Sequence, residues 1–510
     1  MRRRACLCGT AAVLGMLALA PGASAAVFPV DTTVDGEDAF TGDTTCATLL
    51  NRCTLRAAIE QANAQGGPDQ VNLPPGTYVL GPLGELPISS DIVVEGTGTS
   101  SNTVVRPNIN GRIFNVSSAG SLDLRDATVR NGVLAANGGG ILSSGSLVLR
   151  RVAVTNNQAF GEDGGGIFAT GRVAIADSAI ASNRAVNGGG VMYLGTGGDS
   201  LSIARSTLSV NRAEPAANPT DGFGGGLLAG PNTQVRLANS TLNGNRGRVG
   251  GGISVSTDMT LDHVTLAANS GAPAGITTSN QHTITLANTI LDNSDGANCS
   301  ATGTFTSGGG NVESGNDCGL PAADQPSTDP LLGPLASNGG PTRTRAIARN
   351  SPARDAVTGG CPPPATDQRG VARPQGPACD SGAFEFDPEP PELELVGKGK
   401  QKLKKLTLEV SCGPEACSVE LGGKGKVPAR APAAAKSEKS KLKPKGVDIA
   451  PGATETVRLK FKRNRATVKK LRALLKQAGS KARKAKVVVS ATATGAGGAD
   501  SAKEKIKLKR

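Results

Sequence analysis

Triple glycines begin at Gly138, Gly164, Gly188, Gly224 and Gly250, at intervals of 26, 24, 36 and 26 residues. Between them lie short segments of alternating apolar and polar residues, "SLVLR", "RVAIA", "LSIAR", "QVRLA", "MTLDH" and "TITLA", each long enough for one strand. A second short segment follows, as in "STLSVN" and "VTLAAN". No strand of that length holds a core alone. A period of about 24 residues built from such pieces predicts one coil of a right-handed parallel β-helix, with equivalent residues stacked roughly 4.8 Å apart. The long interval contains "EPAANPTDGF", which reads as a loop excursion from one turn. A helical repeat would need apolar spacings of three and four with few glycines. An antiparallel sandwich would not require one fixed period with the same residue types in the same columns.

Stacking assigns each column a task. Ile141, Ile167, Val191, Leu227 and Ile253 form one inward ladder, and Leu149, Ile175, Ile203, Leu237 and Leu261 a second. The glycines supply a positive-φ corner and let neighbouring coils approach. Asn157, Asn183, Asn211, Asn245 and Asn269 each follow an aliphatic residue by three. An amide in a bend tolerates the left-handed region, and stacked amides bond from coil to coil, so a structural role precedes a catalytic one. A further column reads Asp126, Arg151, Asp177, Arg205, Asn239, His263 and Asn288, an alternation of sign expected of a solvated charge ladder. Arg184, Arg212 and Arg246 follow the ladder asparagines in consecutive coils. They form either a solvated edge or a polyanion-binding stripe.

The chain begins "MRRRACLCGTAAVLGMLALAPGASAA", an arginine cluster, a short apolar run and small residues, the pattern of a cleaved signal that predicts export. No later segment approaches a membrane span. Outside the signal, eight cysteines fall into four local pairs: Cys46 and Cys53, Cys299 and Cys318, Cys361 and Cys379, Cys412 and Cys417. Even numbers at short spacing in an exported chain argue for disulfides, with connectivity open; only two histidines and no C-x-x-C pair speak for metal. Of the net charge of +13, residues 391–510 carry 31 Lys and Arg against 10 Asp and Glu, or +21, leaving −8 on the rest.

The expected order is a signal peptide (1–26), an N-terminal cap with a short helix (27–70), the β-helix (71–298), a disulfide-bearing closing region (299–386), a linker (387–396) and a basic β-sandwich (397–510). "CTLRAAIEQANAQGG" places Leu55, Ala58, Ile59 and Ala62 on one helical face that covers the first coil, as an open stack of strands requires. "KKLTLEVSCG", "CSVELGGKGK", "TETVRLKFK", "KAKVVVSATATG" and "KEKIKLKR" read as strands of the last domain, and "ATVKKLRALLKQAG" as a helix.

Four parts of the chain carry a resemblance. "CTLRAAIEQAN" resembles the CSLREA motif at the start of bacterial exported β-helix proteins, with Thr54 for its serine and Ala57 for its glutamate. "TDPLLGPLASNGGPTRTRAIARNSPARDA" followed by "TDQRGVARPQGPACDSGAFEF" is similar to the closing region of the choice-of-anchor Q type. Within it, Asp367, Arg369, Arg373 and Asp380 are placed to pair around the last coil. The repeats resemble those of polymorphic outer membrane proteins, although an aliphatic residue stands where phenylalanine is usual and no membrane barrel follows. The basic domain looks like the lysine-rich immunoglobulin-like modules of actinobacterial exported proteins. These likenesses imply a surface-associated protein for adhesion or display.

β-helices also include polysaccharide lyases and glycoside hydrolases, which use clustered carboxylates. Here the acids are scattered. The chain has no Trp and only Tyr78 and Tyr193, so sugar-stacking platforms are scarce. The reading is therefore an all-β secreted or cell-wall-associated protein that binds or displays, without cofactor, metal or assigned catalytic residue. Its expected partner is an anionic polysaccharide, met by Arg184, Arg212 and Arg246, while a lyase or hydrolase is the alternative. Nucleic acid is a poorer partner, since export removes the usual target and aromatic interleaving is missing.

Overall fold

In the computed structural model the glycine-punctuated repeat winds into a parallel β-solenoid of about nine turns. The structure describes residues 25–387 apart from 99–102, 108–109, 197, 215–221, 279–280, 294 and 301, and beyond 392 residues 393–397, 400–402, 406–412, 417–427, 438–441, 444–450, 454–460, 486–495 and 498–509. The signal segment, the side chains of Cys412 and Cys417, and the helix expected at "ATVKKLRALLKQAG" lie outside the described residues.

A full coil gives one strand to each of four parallel sheets. Sheet I has eight strands, from Leu86–Ile88 to Ile276–Thr278, and sheet II eleven, from Val27–Pro29 to Thr304–Ser307. Sheet III has ten, from Gly76–Leu80 to Val312–Glu313, and sheet IV five short ones, from Val133–Leu134 to Arg246–Gly247. The register follows the sequence columns: Ile141, Ile167, Val191, Leu227 and Ile253 pair in succession in sheet I. Leu149, Ile175, Ile203, Leu237 and Leu261 do so in sheet II. All ten are at most 1% exposed. Each such side chain contributes roughly 2 kcal/mol by leaving water, but only because the coils above and below complete its enclosure.

Every coil turns at left-handed corners. At the first, the leading glycine of each triplet has φ between 58° and 73°. Its two followers serve a different purpose. A Cβ on Gly165 would sit 2.5 Å from the carbonyl oxygens of Arg184 and Gly189, and one on Gly166 would press on the Asn183 amide. The second corner joins sheets II and III and is the column Asp126, Arg151, Asp177, Arg205, Asn239, His263 and Asn288, with φ of 45° to 55°. The third corner corrects the sequence reading by one position. Positive φ falls on Asn156, Ser182, Val210 and Ala268, the residue before each ladder asparagine. The ladder asparagines themselves point inward. Each Nδ2 donates to the Oδ1 of the next coil's asparagine and to a backbone carbonyl of the coil before, an unbroken chain from Asn157 through Asn183, Asn211, Asn245 and Asn269 to Asn293. Turning the amide inward satisfies polar groups that a close-packed corner shuts away from water.

The N-terminal end is covered by a helix, Leu55–Gln65, whose N-cap Thr54 accepts a hydrogen bond from the Ala57 N–H. Leu55, Ala58, Ile59 and Ala62 are buried against the first coils as the pattern predicts. Arg56, also buried, is gripped by both oxygens of Asp35 and donates to the carbonyls of Gly84 and Glu85. Cys46–Cys53 closes the preceding loop. Cys299–Cys318 lies at the other end of the solenoid, and Cys361–Cys379 lies in the closing region.

That closing region differs from expectation. Its residues from about 342 onward lie as a strap along the outer face of sheet III instead of across the last coil. Thr207 Oγ1 donates to the Arg343 carbonyl, Asn239 Nδ2 to the Thr366 carbonyl, and Thr241 Oγ1 to Gln368. The Ala383 and Gly382 N–H groups donate to Thr265 Oγ1 and to the Asn288 carbonyl. The strap follows this face because its outward positions change from alanines at Ala153 and Ala179 to hydroxyls and then to Ile290 and Val312. The last two build a second small core with Ile347, Ala353 and Phe384.

Beyond the solenoid the pairing between neighbouring strands becomes mainly antiparallel. Thr407–Cys412 pairs with Leu393–Gly397 and Thr454–Arg458. Cys417–Val427, Lys486–Gly495 and Gly498–Lys509 lie side by side in a second sheet. The five segments read as strands from the sequence are all strands. Leu406, Leu408, Val410, Val457 and Val489 are buried.

Candidate functional site

The charge column at the second corner separates into two parts. In the upstream coils it is an exposed ladder: Arg151 holds both oxygens of Asp126 at 2.6 Å, and Arg205 those of Asp177 at 2.7 Å. Screened by solvent, such pairs contribute well under 1 kcal/mol each. Further along, the strap covers the column, so the expectation of a solvated face fails there. His263 is fully buried, its Nδ1 2.8 Å from Asp262 Oδ1, and its Nε2 has no hydrogen-bond partner. Burial pushes the imidazole below its ordinary range and nearby Arg373 adds to this, against the pull of Asp262. Asp262, despite its own burial, is held below the usual carboxylate range by His263 and Asn288. An Asp–His pair sealed from substrate is structural.

Arg373 and Glu385 form the centre of the strap, joined at 2.7 Å with 0% and 1% of their side chains exposed. Arg369 pairs with Asp367 and lies over the Phe384 ring. Asp380 accepts the N–H groups of Asp355 and Phe386; burial, with Glu385 adding, pushes its carboxyl up to about 7. The folded strap therefore holds a proton that the unfolded chain releases above its value of 3.8. The stabilisation is complete below that value and is lost as pH rises to about 7, on the order of 4 kcal/mol in all. His263 acts in the opposite sense, its contribution present above 6.5 and weakening as pH falls from there. Asp380→Asn, neutral at every pH, is expected to remove the decline between about pH 4 and 7 from urea-denaturation stabilities. Parallel curves for variant and wild type would contradict the assignment.

Among the described residues, two polar surfaces of the coils are open to a ligand. In sheet IV, Arg184 pairs in register with Arg212, and Arg212 with Arg246, all exposed. Glu214 lies 3.2 Å from Arg246 and 4.0 Å from Arg184, so two of the three cations share one carboxylate and these four groups together keep a net positive charge. On sheet II, an open groove of about 700 Å³ crosses four coils, lined by Ser200, Ser202, Gln234, Arg236, Thr257, Asp258, Thr260, Thr283 and Thr285. Ser202, Arg236, Thr260 and Thr285 are consecutive partners in one outward column. Asp258 is spread toward solvent and accepts the Thr283 N–H. No group of three or more His, Cys, Asp or Glu able to hold a metal occurs among the described residues.

No family model matches this chain, and no curated protein matches it. What the site can do therefore rests on its own geometry. The groove offers hydroxyl and amide donors at a regular rise with one guanidinium between them, the equipment of a surface that hydrogen-bonds a polar polymer. Sequence reasoning picked out the arginine stripe but not this groove, because a polar column on an outward strand looks like any solvated face.

Proposed function

We propose that the protein is an extracellular or wall-associated solenoid that binds an acidic polysaccharide, with the basic C-terminal module holding it on anionic polymer. The observation that carries the reading is the in-register stripe Arg184, Arg212 and Arg246, whose mutual repulsion Glu214 relieves in part through Arg184 and Arg246. An anionic chain lying along the coils relieves the remainder. The +21 charge of residues 391–510 supports retention on the same kind of polymer. The likeness of the cap and closing region to exported β-helix proteins of the surface agrees with this.

The full chain is expected to bind acidic wall polymer at about 0.05 M salt and to be released at about 1 M, where the Debye length falls to roughly 3 Å. Arg184→Gln/Arg212→Gln/Arg246→Gln should weaken binding of a soluble acidic glycan about tenfold. Retention unchanged at high salt would overturn the proposal. The groove favours a second reading, a lyase or hydrolase. New unsaturated or reducing ends on incubation with pectate would establish it.

A further inference from the structure

The N-terminal cap exposes large apolar side chains that no described residue covers: Leu49 is 88% exposed, Leu50 84%, Phe40 69% and Val34 68%. Their backbone is held firmly. Cys46–Cys53 closes the loop that carries Leu49 and Leu50, and within it Asn51 N–H donates to Thr48 O and Thr48 N–H to Arg52 O. Beside Phe40, Ala39 N–H donates to Ala47 O. The helix ties this layer down from beneath, Glu60 accepting the Asp38 N–H at 2.8 Å and Gln61 the Gly42 N–H at 3.1 Å. Apolar residues displayed on a braced backbone are pre-organised for a partner, since little ordering cost remains to be met on contact.

The rim of the patch states the partner's charge. Glu37 and Asp43 are exposed, and Asp31 takes up the nearby Arg52 at 3.1 Å. Between residues 27 and 66 the acids are Asp31, Asp35, Glu37, Asp38, Asp43 and Glu60, against Arg52 and Arg56. Such a rim repels an anionic bilayer and selects a cationic protein surface with apolar groups in reach. One part of the chain itself fits: residues 391–510, at +21, with Val396 43% exposed.

We propose that the cap docks the basic C-terminal module of a second copy of this chain. Docking its own module is the poorer fit. Ala383 is bonded to Thr265, seven strand-to-strand steps along sheet III from the first coil, about 34 Å at ordinary spacing. The segment 387–392 before the module's first strand reaches about 20 Å when extended. Cap and module are different surfaces, so the contact is heterologous: made in one direction it leaves one of each free and continues head to tail, and made reciprocally between two copies it closes a dimer. The assembly and retention on acidic polymer draw on the same positive module, but only the assembly requires Leu49 and Leu50, which separates the two in experiment.

Sedimentation velocity on the chain from residue 27 to 510 should show species larger than the monomer that grow with concentration at about 0.05 M salt and dissociate at about 1 M. Leu49→Asp/Leu50→Asp should weaken association at least tenfold with an unchanged circular-dichroism spectrum and Tm, because both side chains are in solvent. A photo-crosslinking amino acid in place of Leu50 should capture peptides from 391–510 of another copy. Crosslinks to 391–510 of the same copy, crosslinks confined to the solenoid, or a monomer at all concentrations would each overturn the proposal. So would Leu49- and Leu50-dependent binding to lipid vesicles in place of self-association.

Discussion

Asn211→Ala should lower stability by about 4 kcal/mol, several times the effect of truncating a polar residue on the outer face such as Gln234. The side chain is fully buried and makes four hydrogen bonds. Its Oδ1 accepts from the Asn183 N–H and the Asn183 amide, and its Nδ2 donates to the Ile180 carbonyl and to Asn245 Oδ1. Truncation orphans groups in both neighbouring coils where water has no access, and each buried orphan costs about 1–3 kcal/mol. The denaturation midpoint should fall at constant urea dependence, with amide exchange accelerating first near Asn183 and Asn245. A change below about 1 kcal/mol would show that the ladder carries no weight.

The second large effect is expected at the centre of the strap. Glu385→Ala removes the carboxylate that faces Arg373 and also accepts the Gln375 and Asp380 N–H groups. Arg373 keeps the Asp380 and Gly382 carbonyls, but its charge stays buried without its nearest counterion, a condition that costs about 3–5 kcal/mol. The strap's own core is small, so it should detach before the solenoid unfolds. Limited trypsin digestion should then cut at Arg343, Arg345 or Arg369, while the wild type resists. Arg373→Met/Glu385→Leu should recover part of the loss, since removing both charges costs less than stranding one. Equal protease resistance in wild type and Glu385→Ala would mean that the pair does not hold the strap.

The contrast between ladder and strap shows what the sequence makes visible. Ile141, Leu149 and Asn157 were legible because one period fixes their neighbours: once coils repeat, the register of every column follows. The left-handed corner was placed one residue late because asparagine tolerates that region better than Ser182 or Val210, whereas the inward hydrogen bonds of the amide decided the matter. The strap's path was not legible. Thr207, Thr241 and Thr265 look like surface threonines until something lies on them, and only Ile290 and Val312 at outward positions hinted at a cover. His263, which the sequence places in a solvated column, is buried for the same reason, and Glu385 carries no signal in the unremarkable "GAFEF". Arg56 shares its side of the helix with Glu60 and Asn63, and only its contact with Asp35 distinguishes a buried clamp from a solvated charge. The groove on sheet II depends on the relief of the coils around it, which no column of residues encodes.

The most direct test of the coil register is the separation of two residues far apart in sequence. Nitroxide labels at Arg184→Cys and Arg246→Cys, two coils apart, should lie about 10 Å apart along the stack and broaden each other's spectra in frozen solution, with a stronger interaction for the pair at Arg184→Cys and Arg212→Cys. Spectra equal to the sum of the single labels would mean that these residues are not stacked, and would contradict the account from the ladders outward.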